Sequence, residues 1–132
     1  MDGAEEKFVR KFIKKAYRER CLFELSSPKK REEGIRQLSR KLKDNVIVPC
    51  GETREEIKKA ISKTFDTSKN VYIISDSSID GTHKVFEEAF ETAMCGGWTY
   101  VLICDEDTVF LKDEDPGRGG GDSDKYVLYL KS

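Results

Sequence analysis

The stretch Trp98 to Lys112, WTYVLICDEDTVFLK, decides the fold. Two apolar runs, Trp98 to Cys104 and Thr108 to Lys112, flank the acidic triplet Asp105-Glu106-Asp107, and this arrangement predicts a β-hairpin. Lys125 to Lys131 (KYVLYLK) predicts a third strand that closes the sheet. The intervening residues 113–124, DEDPGRGGGDSD, are rich in glycine and acid and predict a flexible surface loop. Upstream, Val71 to Ser75 (VYIIS) is a continuous apolar run between turn residues, the pattern of an interior strand covered on both faces.

Helices fill the spaces between these strands. Thr82 stands where an N-cap would open a helix with a wide apolar face, Val85, Phe86, Ala89, Phe90, Ala93 and Met94, ended by Gly96-Gly97. Thr53 and Glu56 have capping-box spacing and predict a helix to Phe65 that buries Ile57, Ile61 and Phe65. Val46-Ile47-Val48 predicts a short strand, stopped by Pro49-Cys50-Gly51.

Residues 4–19 predict a helix with Phe8, Val9, Phe12, Ile13, Ala16 and Tyr17 on one side. Lys7, Arg10, Lys11, Lys14, Lys15 and Arg18 lie on the other. Beyond Arg20, Leu22 and Leu25 fall out of phase: either the helix ends or bends near Arg20, or, as the preferred expectation, its last turns are covered on all sides. Ser26-Ser27-Pro28 then predicts the start of a second helix, about 28–43, with a narrow stripe of Ile35, Leu38 and Leu42. Gly34 in its middle costs about 1 kcal/mol relative to alanine. The expected architecture is one α+β domain over 1–132. A basic N-terminal helical hairpin (1–44) packs on a small mixed β-sheet with two further helices (45–132), in the order αα–β–α–β–α–β–β–β. A strand–helix–strand crossover through 82–94 would be right-handed if its strands are parallel.

Charge divides along the same boundary. Residues 1–44 hold 14 Lys/Arg against 8 Asp/Glu, and residues 45–132 hold 10 against 17, so the net charge of -1 hides a dipolar chain. Such a field bears on partners rather than on fold. No apolar run is long enough to span a bilayer, and MDGAEEKFVRKF carries charge from its second residue, which predicts no secretory signal. The four cysteines show no C-x-x-C pairing and there is one histidine, so structural zinc is not expected. Reduced thiols and a cytoplasmic setting are. No cofactor is implied.

Four groups of residues are candidates for chemistry. The basic helix face, Lys7, Arg10, Lys11, Lys14, Lys15 and Arg18, is suited to a protein partner or to phosphates; nucleic-acid affinity would then fall steeply with salt. A solvated helix face explains the same residues. Asp76, Ser78, Asp80, Gly81 and Glu87 match the first, third, fifth, sixth and twelfth positions of an EF-hand loop. Against that reading, His83 and Lys84 occupy its eighth and ninth positions, and a strand precedes it; a turn followed by an N-cap accounts for the same residues. Asp76, Asp80 and His83 together would supply a general base and a carboxylate at a strand end, as in a small hydrolase. Cys50 sits at a strand-to-helix junction where a thiol pKa can fall, but its surroundings lack the C-x5-R spacing of a phosphatase loop.

In Arg18 to Arg31 (RERCLFELSSPKKR) and Ile73 to Gly81 (IISDSSIDG) the chain resembles small bacterial proteins of uncharacterised function, and the resemblance implies no activity. Its charged α+β build is also similar in type to toxin-immunity proteins, by analogy alone. The expected function is non-catalytic binding or regulation through protein–protein contacts, with nucleic-acid binding as the alternative. Opposite charges on one molecule also allow self-association.

Overall fold

A computed structural model describes residues 3–48, 53–95, 97–112 and 127–131. Cys50 and the 113–124 segment lie outside the described residues. Three short helices come first: α1 (Gly3–Phe12), α2 (Lys15–Ser26) and α3 (Arg31–Arg36). After two 3-10 turns, Leu38–Lys41 and Asp44–Val46, follow β1 (Ile47–Val48), α4 (Arg54–Ser62), β2 (Asn70–Ser75) and β3 (His83–Val85). The chain continues through α5 (Phe86–Cys95), β4 (Tyr100–Ile103), β5 (Thr108–Lys112) and β6 (Val127–Lys131). The class is α+β, with helices preceding strands as expected. No described helix is long and apolar enough to cross a membrane.

The six strands form one sheet in the order β1-β6-β5-β4-β2-β3. Strand alternation divides its residues between two cores. Tyr72, Ile74, Val101, Ile103, Val109, Leu111 and Leu130 face α1–α3. Val71, Ile73, Tyr100, Leu102, Phe110 and Tyr129 face α4 and α5. Helices on both sides explain why β2 reads as an unbroken apolar run.

The sheet is antiparallel throughout, not mixed. The reason lies at Thr82. Its hydroxyl donates to the Ile79 carbonyl (2.6 Å) instead of capping a helix, and residues 83–85 pair with β2 as β3. That extra reversal inverts every later strand direction, so β4 runs antiparallel to β2. It also starts α5 at Phe86 and leaves Val85 exposed rather than in the helix's buried face. Gly81, at φ 77°, makes the turn; its N–H donates to the Ile73 carbonyl (2.8 Å). The capping box at Thr53 and Glu56 forms as read.

The N-terminal helices depart further from expectation. The 4–19 helix breaks at Ile13-Lys14, where Lys14 is extended (φ -54°, ψ 138°). There Ile13 bridges Leu42, the Lys14 N–H donates to the Lys41 carbonyl (2.8 Å), and the Lys43 N–H donates to Phe12 (2.8 Å). This pairing rotates α2 out of phase with α1, so Ala16 and Tyr17 turn to solvent while Cys21 and Leu25 are buried. The expected 28–43 helix is reduced to α3 and a 3-10 turn, because residues 41–43 are drawn into that pairing. Ser26 ends α2, its hydroxyl donating to the Leu22 carbonyl, and does not cap a second helix. Ile35, Leu38 and Leu42 are buried as read.

Gly34 sets the approach of α3 to α2. A Cβ there would lie 2.9 Å from Glu24 Cβ. Gly34→Ala should therefore lower stability by about 1–3 kcal/mol through overpacking, despite alanine's higher helix propensity. Chemical denaturation checks this, and a stabilised variant would contradict it.

Candidate functional site

The β2–β3 loop carries the carboxylates singled out in the sequence, and both meet arginines from α3. Asp80 receives a two-point bond from Arg31, Nε to Oδ2 at 2.6 Å and Nη2 to Oδ1 at 2.9 Å. The same guanidinium forks onto Glu5 of α1, Nη1 to Oε1 at 2.7 Å and Nη2 to Oε2 at 2.8 Å. Its Nη1 also donates to the Leu25 carbonyl at the end of α2 (2.8 Å). Glu5 is buried, and the Tyr72 hydroxyl donates to its Oε2. Asp80 and then Glu5 hold the Arg31 guanidinium more firmly protonated than usual. Asp76 accepts from Arg36 Nε (3.0 Å) and from the Thr99 backbone N–H (2.9 Å). Asp80 Oδ1 also accepts from the Ser75 N–H (3.0 Å).

These contacts bear on the acidic-loop readings. Ser78 is exposed, and Glu87 stands on the outer face of α5 beside Lys58 (3.8 Å). Among the described residues no group of three or more His, Cys, Asp and Glu side chains is placed to hold a metal ion. His83 lies on β3 with its ring edge-on to Tyr72, centroids 5.1 Å apart. No hydrogen bond joins it to Asp76 or Asp80 among the described residues. The structure thus gathers the two aspartates at an ionic junction and puts the histidine elsewhere.

The basic helix face divides in two. Lys7 bonds Glu106 (2.9 Å), Lys11 bonds Asp107 (3.0 Å), and Arg10 bonds Glu6 (3.0 Å). Lys7 and then Lys11 hold the Glu106 carboxyl below its ordinary range. Lys14, Lys15 and Arg18 make no ion pair among the described residues. Arg18 folds back, with Nε buried and unpartnered and Nη2 3.5 Å from the Ile13 carbonyl.

Sequence reasoning missed the outward face of α2. Phe23 is 55% exposed and Tyr17 44% exposed, with Ala16 between them on the solvent side. The phase change past Arg20 was the available signal. Placing the break at Ile13-Lys14 would have turned Phe23 outward.

No family model, curated protein or solved structure matches the chain.

Replacing Arg31 with methionine leaves Glu5 buried without its cation, and should cost about 3 kcal/mol or more in a denaturant titration. A loss under about 0.5 kcal/mol, the range of ordinary surface changes, would contradict the geometry. Glu24 gives a pH signature. Burial pushes its carboxyl up, but Lys41 (3.0 Å) and Arg20 (3.4 Å) outweigh this and hold it below the ordinary range. Its stabilisation is complete above the unfolded carboxyl's pKa and is lost as pH falls through the folded one. Glu24→Gln should flatten the acid limb of a stability–pH curve. Burial pushes the Cys21 thiol up to about 11 and raises Cys104 as well. Cys95 is exposed. Iodoacetamide followed by peptide mass mapping should therefore label Cys95 in the native protein, and Cys21 and Cys104 only after unfolding.

Proposed function

We propose that the protein is a non-catalytic binding or regulatory module acting through protein–protein contacts, with the outward face of α2 as its contact surface. The observation that carries this reading is Phe23, more than half exposed at the middle of a helix face where a polar side chain would ordinarily stand. Burying such a ring against a partner is worth about 1.5–3 kcal/mol, and aromatic anchors of this kind dominate binding energy. Lys14 and Lys15 before the face, and Lys29 and Lys30 after it, make no ion pair among the described residues. A partner with an apolar hollow ringed by carboxylates complements that arrangement.

The nucleic-acid alternative has less support, because Lys7, Arg10 and Lys11 already hold carboxylates. The hydrolase alternative has less again, because Asp76 and Asp80 hold arginines. A cytoplasmic and bacterial setting belongs to the same proposal; the free thiols Cys21, Cys95 and Cys104 fit a reducing compartment.

A photo-crosslinking residue at position 23, used in the native host, tests the reading. The reading expects protein adducts that disappear when Lys14 and Lys15 are changed to glutamate. Adducts to nucleic acid, lost with rising salt, would favour the alternative. Adducts to the same chain, with Phe23→Ser abolishing a dimer in sedimentation, would make the partner a second copy. No adduct of any kind removes α2 as the contact surface.

A further inference from the structure

We propose that the cleft between the start of α1 and the sheet is a binding site for a small, neutral aromatic molecule bearing one hydrogen-bonding group. The cleft, open to solvent on one side, has a volume of about 410 Å³, within the size range of small-molecule sites. Its floor is one register row across four strands: His83 pairs with Tyr72, Tyr72 with Ile103, and Ile103 with Val109. Alternation puts that whole row on the α1 side of the sheet. Phe8 and Phe12 of α1 lie over it, their rings stacked at 5.5 Å. The row extends beyond the aromatic ridge, because the next positions toward the helix start are Ala4 and Gly3, too small to cover it. The cleft is where that ridge runs out.

The lining also selects the occupant. Phe8 and Phe12 are 2% and 1% exposed, so the aromatic surface open to an occupant comes from Tyr72 and from the exposed His83 beside it, which favour a flat ring in offset or edge-on contact. The charged groups at the mouth are already satisfied: Lys7 and Lys11 hold Glu106, and Asp105 Oδ1 accepts the backbone N–H groups of Asp107 and Thr108, both at 2.8 Å. A charged ligand finds its counter-charges at the mouth already engaged, and a neutral one needs none. Asn70 and His83 supply polar side-chain atoms that make no hydrogen bond among the described residues, and they suit a single donor or acceptor on the ring. This site is separate from the α2 face and does not depend on it.

Indole is the probe. Titrated into uniformly labelled protein, it should shift amide resonances of Ala4, Phe8, Tyr72, His83 and Ile103 saturably, and tryptamine and indole-3-carboxylate should bind more weakly. Ala4→Trp fills the cleft and should weaken indole about tenfold or more, equivalent to about 1.4 kcal/mol. His83→Ala, at an exposed position, provides a second variant whose folding is not at stake and should weaken it by a smaller factor. Absence of saturable shifts, shifts centred on Phe23 instead, unchanged affinity in both variants, or tighter binding of either charged analogue would overturn the proposal.

Discussion

The fold depends on one guanidinium. Arg31 grips Glu5 on one side and Asp80 on the other, and reaches the carbonyl that ends α2. It thereby joins α1, α2, α3 and the β2–β3 loop at one point. A buried carboxylate such as Glu5 is costly unless its charge is compensated, and the planar fork of arginine meets two carboxylates at once where lysine could not. The Tyr72 hydroxyl completes the shell around Glu5 from the sheet itself.

The uneven distribution of charge along the chain is matched across the same two layers. Among the described residues, five ion pairs join the basic first third to the acidic remainder: Lys7–Glu106, Lys11–Glu106, Lys11–Asp107, Arg31–Asp80 and Arg36–Asp76. Much of what reads as a dipolar exterior is therefore complementarity between two layers of the fold. The exposed pairs contribute little each, whereas the Arg31 pairs are largely withdrawn from water, so loss of one partner there is costly. Lys14, Lys15, Lys29 and Lys30, which make no ion pair among the described residues, stand on either side of the exposed aromatic face of α2.

Much of the sheet was legible because its strands are short apolar runs bounded by turns, and the hairpin expected over 98–112 forms, with β4 pairing antiparallel to β5. The α4 start was legible because Thr53 and Glu56 are a local signal with a local outcome. Misreadings arose where a local pattern yields to distant pairing. Ile13 and Lys14 leave the helix and, with Phe12 at its end, bond residues 41–43, about thirty positions away, and no periodicity within 4–19 announces that. Thr82 has the chemistry of an N-cap, yet β2 offers residues 83–85 a ladder that outweighs a first helical turn. The carboxylates of the 76–81 loop were visible as a cluster. Their partners were not, since Arg31 lies 49 residues upstream of Asp80 and Arg36 lies 40 upstream of Asp76, and nothing local in the sequence links them.

A double-mutant cycle between Arg31 and Asp80 tests most directly whether opposite charges hold the two layers together. Stabilities of Arg31→Met, Asp80→Asn and the double variant should give a coupling energy of about 1–3 kcal/mol, since contacting residues in one network are not additive. Losses that add to within about 0.5 kcal/mol would mean that the junction is incidental to the packing around it, and the account would fail.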